Sequence, residues 1–268
     1  MKILIRTEAI IKKEIKGCVL TAAVILLSAG HMNAQLITDY TLTGDTLTDM
    51  TVNGSTITAT NMVNGTLTGI FDDNSPSSPE ILVADGASQP SPRSGVIEDL
   101  SLTTGFLNLE SITFTFDQAV ENISGIDLVI FDWGGFTGDT FDLTINGTTL
   151  SGISTSSLPT GADHYTSGVS LTADRYRFTG GTVTSVADLN SASYTTNGGN
   201  TSPTGVIGFD LDAFGVSAGA EITDLTLFGT TTTDPVAILG LQAIPEPSSF
   251  LLLCSGLSLL FLLRRYKA

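Results

Sequence analysis

An all-β fold is what this sequence predicts, on three observations. Apolar residues alternate with threonine over short runs, Asn-Gly pairs punctuate those runs, and helix formers are scarce between the two ends of the chain. Thirty-nine threonines stand among 268 residues, and a β-branched side chain suits a pleated surface better than a helix. Alternation with a period of two sends one set of side chains into a core and the other to solvent. Asn-Gly accepts positive φ at both positions and so closes two-residue hairpins.

The first 17 residues carry Lys2, Arg6, Lys12, Lys13 and Lys16. Residues 18–30 (CVLTAAVILLSAG) follow, apolar or small and free of charge. A basic stretch, a short apolar core and a small-residue exit describe a secretory signal helix over residues 1–34, cut by signal peptidase after Ala34. No cysteine follows the apolar run to accept a lipid at a processed terminus.

Residues 35–243 form the expected extracytoplasmic body. Residues 40–69 read as a strand ladder with breaks at Gly44, Asn53-Gly54 and Asn64-Gly65. Residues 72–95, with four prolines and several serines, predict a long loop holding one short strand at 81–84. Residues 111–117 place Ile112, Phe114 and Phe116 on one face. Residues 126–131 are continuously apolar after Asp127, the pattern of a central strand buried on both faces. Residues 140–145 and 148–153, joined by Asn146-Gly147, predict a type I′ hairpin. Further strands are expected at 168–171, 174–179, 206–211, 221–228 and 236–241. Many short strands between turn signals indicate a sandwich or a barrel.

The chain closes on Pro245-Glu246-Pro247, an apolar run at 250–263 (FLLLCSGLSLLFLL), and then Arg264, Arg265 and Lys267. Fourteen residues fall short of the ~20 a helix needs to cross hydrocarbon comfortably, but flanking serines and snorkelling arginines extend the run to a thinned bilayer. The basic cluster stays cytoplasmic as the membrane stop, which puts the body outside. The two prolines keep their tripeptide extended and out of the helix that follows.

Residues 244–268 resemble the PEP-CTERM protein-sorting tail in content, order and position. That resemblance implies handling by an exosortase, a membrane-embedded processing enzyme of Gram-negative bacteria. More loosely, residues 131–150, 208–229 and 232–241 resemble the β-sandwich bodies common in PEP-CTERM proteins, which implies a jelly-roll-like sandwich and carries no catalytic residue with it.

Composition limits the partners. The body has three basic residues, Arg93, Arg175 and Arg177, against 24 acidic ones, a net charge of −21. Phosphate recognition needs clustered Lys and Arg, so nucleic acid is excluded as a partner. Both cysteines, Cys18 and Cys254, lie in the end segments. A disulfide-free body in an oxidising space must therefore be held by its core.

The candidate sites are few. Asp132, Asp139 and Asp142 surround a Gly-rich turn, and carboxylates with exposed carbonyls are what calcium takes as ligands. Asp210 and Asp212 flank Leu211 in similar fashion. Solvated acids of a strongly negative surface are the competing reading. Trp133, the single tryptophan, is a candidate to stack on a sugar ring near Phe136, or else a buried plug at the end of the sandwich. Residues 215–219 match G-x-S-x-G, but a strand pattern follows where a nucleophile elbow needs a helix, so they read as a turn. His164, alone after signal removal, reads as a loop residue. Asn-x-Ser/Thr at Asn53, Asn64, Asn122, Asn146 and Asn200 is expected by chance in so threonine-rich a chain.

Two functions fit. The first is a non-catalytic structural or adhesive surface protein, sorted by an exosortase and associated with extracellular polysaccharide. The alternative is an extracellular carbohydrate-active enzyme using paired carboxylates such as Asp132 and Asp142.

Overall fold

The computed structural model describes residues 37–242 apart from 53, 72–79, 85–96, 108, 124, 181–182 and 184. The signal segment, the sorting tripeptide, the run at 250–263 and the basic terminus lie outside the described residues. Among those described, no helix is long and apolar enough to cross a membrane.

The described chain is mostly strand, in three antiparallel sheets. The first is β1 (Ile37–Thr43), β2 (Thr46–Val52) and β3 (Ser55–Thr58), a meander with Gly44 and Gly54 at its turns, both at positive φ. A second, five-stranded sheet and a third, seven-stranded sheet take up the remaining strands. These are β4 (Met62–Val63), β5 (Gly65–Phe71), β6 (Glu80–Ala84), β7 (Gly105–Leu107), β8 (Leu109–Glu121), β9 (Leu128–Trp133), β10 (Phe141–Ile145) and β11 (Thr148–Ile153). They continue with β12 (Ala162–Gly180), β13 (Ser193–Phe209), β14 (Glu221–Thr233) and β15 (Pro235–Leu241). Strand order is β11-β10-β14-β8-β5 in the second sheet and β4-β15-β9-β13-β12-β6-β7 in the third.

Two hydrophobic cores separate three layers, with the seven-stranded sheet in the middle. One core joins it to the five-stranded sheet through Ile112, Phe114, Leu143, Leu225 and Leu227 facing Leu128, Ile130, Ile207 and Phe209. The other joins its opposite face to the meander, Tyr40, Leu47 and Met50 meeting Val129, Phe131, Trp133 and Leu239. This explains the continuous burial of β9. Leu128 and Ile130 feed one core, Val129, Phe131 and Trp133 the other, and Asp132 is the one polar residue of the strand. The all-β sandwich thus carries a third layer. Tyr40 anchors that layer: its hydroxyl donates to Ser167 Oγ at 2.7 Å and lies 2.5 Å from Thr204 Oγ1, while its ring meets Phe131 edge-on at 5.3 Å.

The β10–β11 hairpin turns on Asn146 (φ 49°) and Gly147 (φ 76°), the type I′ geometry expected. Asn64-Gly65, expected to break the ladder in the same way, does something else. Met62 and Val63 pair with β15, while the chain from Gly65 onward pairs with β8, so the dipeptide passes the chain between sheets. A Cβ on Gly65 would lie 2.3 Å from the Thr115 carbonyl oxygen, so close backbone approach is what requires glycine there.

Residues 168–171 and 174–179 are expected as two strands and belong to one, β12, bulged between Thr166 and Ser170. Residues 193–205, without a strand signal of their own, extend β13 along its length. Pro203 sits opposite Ser170 at that bulge, a place where a missing N–H is tolerated. The connection carries α1 (Val186–Ser191), whose Ser185 cap accepts from the Asp188 N–H at 3.3 Å.

Candidate functional site

Asp132 is the penultimate residue of β9, and the chain turns back over it after Trp133. Gly134, Gly135, Phe136 and Gly138 all have positive φ (119°, 68°, 59° and 86°). This left-handed run aims the Phe136 N–H at Asp132 Oδ2, 2.7 Å away, while the Asp234 N–H donates to Oδ1 at 3.1 Å. Asp132 is only 1% exposed. Burial first, and then the charges of Asp234 and Asp139, push its carboxyl well above the usual range. Asp139 is hydrogen-bonded to Asp132 and is itself pushed up to about 6, chiefly by burial. Two carboxyl groups in this contact hold a proton between them rather than ionise together.

Of the three aspartates expected to share a cation, the structure brings two together. Asp142 lies on β10, where it accepts from the Gly152 N–H at 2.8 Å and the Ser151 hydroxyl at 3.1 Å, holding the β10–β11 bulge. Among the described residues no group of three His, Cys, Asp or Glu is arranged to hold a metal ion. Asp132 is also closed to substrate. The glycosidase arrangement of Asp132 with Asp142 needs two carboxyls flanking an open groove, and Asp132 reaches none.

Trp133 is a correction to the stacking reading. It is 2% exposed, among the largest fully buried side chains, and belongs to the core beneath the meander. No open face remains for a sugar ring. The residue that sequence reasoning passed over is Phe228 on β14, 43% exposed. Alternation around Leu225 and Leu227 could have placed it on the outer face.

His164 is a strand residue of β12 rather than a loop residue, half-buried, with its ring edge-on to Phe136 at 6.1 Å. Burial lowers its pKa. Residues 215–219 form the turn expected of them. Leu211–Phe214 make one 3-10 turn, Gly215 closes it at φ 71°, and β14 begins at Glu221.

Two further buried acids were not singled out by sequence. Asp127, fully buried, accepts from the N–H groups of Ile123 and Leu211, both at 3.1 Å. It lies near Asp210 and Asp212, and burial followed by those charges contributes to a pKa of about 6. Asn122 ties Asp212 to the same corner, donating to its Oδ1 at 2.8 Å. Glu80, 2% exposed, starts β6 and draws in two of the body's three arginines. Arg177 donates to it at 3.0 Å, Arg175 lies at 3.6 Å, and Asn197 donates at 2.6 Å. Removing a buried partner strands the opposite charge, but both arginines are partly solvated. Glu80→Ala is therefore expected to cost about 2 kcal/mol, a melting shift of about 4–8 °C. Thermal unfolding of the variant checks this, and an unchanged midpoint would remove the pair from the forces holding β6 to β12.

Comparison of the chain with known protein families, curated proteins and solved structures finds no match in any of the three.

Proposed function

We propose that this chain is an exported, non-catalytic structural or adhesive protein, surface-anchored or secreted, that is sorted by an exosortase and associates with extracellular polysaccharide. The observation that carries the reading is the order of parts at the C-terminus: Pro245-Glu246-Pro247, the apolar run at 250–263, then Arg264, Arg265 and Lys267. A signal helix at 1–34 and a jelly-roll-like body at 35–243 complete it. The run at 250–263 acts as a transmembrane helix that holds the body outside until processing. A disulfide-free body that draws its stability from two cores suits a protein that folds after export.

Reporter fusions test the topology. Alkaline phosphatase inserted at Gly95 is expected to be active outside the membrane, and a fluorescent reporter after Lys267 to remain cytoplasmic in the unprocessed form. Replacing Pro245, Glu246 and Pro247 by alanine is expected to leave the chain unprocessed in the membrane. An inactive phosphatase at Gly95 would overturn the reading.

A further inference from the structure

From the outer face of the five-stranded sheet we infer a binding surface for a neutral polysaccharide, with Phe228 as its stacking platform and a cross-strand row of threonine hydroxyls as its polar rim. The register builds this face. One row runs Thr149, Thr144, Thr226 and Thr113 across β11, β10, β14 and β8. The next row places Phe228 directly between Asp142 and Ser111. A third pairs Asp224, Thr115 and Thr66. Five strands about 4.8 Å apart make the face about 19 Å across, and its inward side is filled by Leu143, Leu225, Leu227, Ile112 and Phe114.

A single exposed apolar side chain is ordinary on a protein surface. Phe228 differs through its neighbours. Its ring stands beside a half-exposed carboxylate already aligned by Ser151 and Gly152, and beside hydroxyls that hold one another. Thr144 and Thr149 are 2.8 Å apart, Thr68 and Thr115 3.4 Å, Thr113 and Thr226 3.5 Å. Each hydroxyl has one donor and two acceptor sites, so the Thr144–Thr149 and Thr113–Thr226 pairs each keep a donor and spare acceptors, while Thr68 spends its proton on the Thr113 carbonyl. An apolar ring flanked by donors and acceptors matches a pyranose, which has an apolar face and an equatorial belt of hydroxyls.

Charge chooses among possible occupants. The five strands contain no Lys, Arg or His, and their outer face carries Asp117, Asp142 and Asp224. A second copy of this chain would set these acids against themselves, and an anionic polymer would meet a body of net charge −21. A neutral polyhydroxyl chain meets neither repulsion. Because Asp142 serves here as an acceptor for sugar hydroxyls, it has a use in the fold that needs no cation.

The inference deepens the polysaccharide association proposed above and rests on it. The test is affinity electrophoresis of the full chain in mild detergent through gels holding hydroxyethyl cellulose, galactomannan or dextran, with alginate as the anionic comparison. Retardation by at least one neutral polymer is expected. Phe228→Ala is expected to weaken it about tenfold, whereas Phe228→Tyr, which keeps the ring, retains it. Thr144→Val with Thr226→Val, which keeps shape and removes hydroxyls, is expected to weaken it severalfold. Val169→Ala, at the other large apolar side chain exposed among the described residues, is expected to change nothing. Neutral binding that survives both Phe228→Ala and the double variant would overturn this surface and leave the broader reading standing. Retardation by alginate alone would do the same. No retardation by any of the four would overturn both.

Discussion

Raising the pH from about 4 to about 7 is expected to destabilise this protein, and Asp127 is a contributor that can be isolated by substitution. Its carboxyl is fully buried and has its pKa raised from 3.8 to about 6. A raised pKa means the folded chain holds the proton more tightly than the unfolded one. The stabilisation is therefore complete below about pH 4 and is lost as the pH passes through about 6. Two pKa units correspond to about 3 kcal/mol, or about 6–12 °C in a domain of this size. Asp139 and Asp132 act in the same direction. Asp45 acts oppositely: the Thr103 hydroxyl lowers its pKa, so its contribution is present above about pH 4 and fades below. Melting followed by circular dichroism across this range checks the sign.

Self-repulsion of the negative surface would also grow with pH, but salt screens exposed charges and leaves a buried carboxylate almost untouched. The fall is therefore expected to persist at high ionic strength. Asp127→Asn is expected to flatten it by about 3 kcal/mol. At pH 4–5 the same variant should lose about 1–3 kcal/mol, because an amide nitrogen cannot accept from the Ile123 or Leu211 N–H. A profile that Asp127→Asn leaves unaltered would remove Asp127 from the pH effect and leave it to Asp132, Asp139 and the surface.

Trp133→Ala is expected to cost about 3–5 kcal/mol, the usual range for emptying a buried aromatic site. The side chain packs with Val129, Phe131 and Leu239 where the meander covers the central sheet. Trp133→Phe should be far milder. The indole N–H meets no acceptor among the described residues, so its loss removes an unsatisfied buried donor along with some contact area. Because this is the single tryptophan, its fluorescence reports the site directly. Blue-shifted emission that added polysaccharide leaves unchanged is expected. A red-shifted emission quenched by hydroxyethyl cellulose would return Trp133 to the role of a stacking residue.

What the sequence determined by itself is local. Periodicity identified β8, β9, β14 and β15, since alternation or continuous burial is written in each strand's own residues. Turn chemistry identified the hairpin at Asn146-Gly147, since positive φ at two successive positions narrows the residues that fit. The same chemistry failed at Asn64-Gly65, because glycine answers equally to a turn and to a close backbone approach, and only the position of Thr115 distinguishes them. Residues 193–205 became strand because β12 supplies every partner they need, a cause that lies outside the segment. The candidate sites divide in the same way. Asp132 and Asp139 could be picked out as neighbours of a Gly-rich turn, but whether their carboxyls touch or face solvent depended on how residues 134–138 fold back over β9. Asp142, three positions beyond Asp139, was drawn away by Gly152 and Ser151 across the hairpin. Trp133, open in the sequence between a stacking residue and a buried plug, is buried, and Phe228 is exposed. Strand alternation states only that neighbouring residues face opposite ways. The meander packed on the central sheet removed the Trp133 face from water, and no described strand packs over the outer face of the five-stranded sheet that carries Phe228.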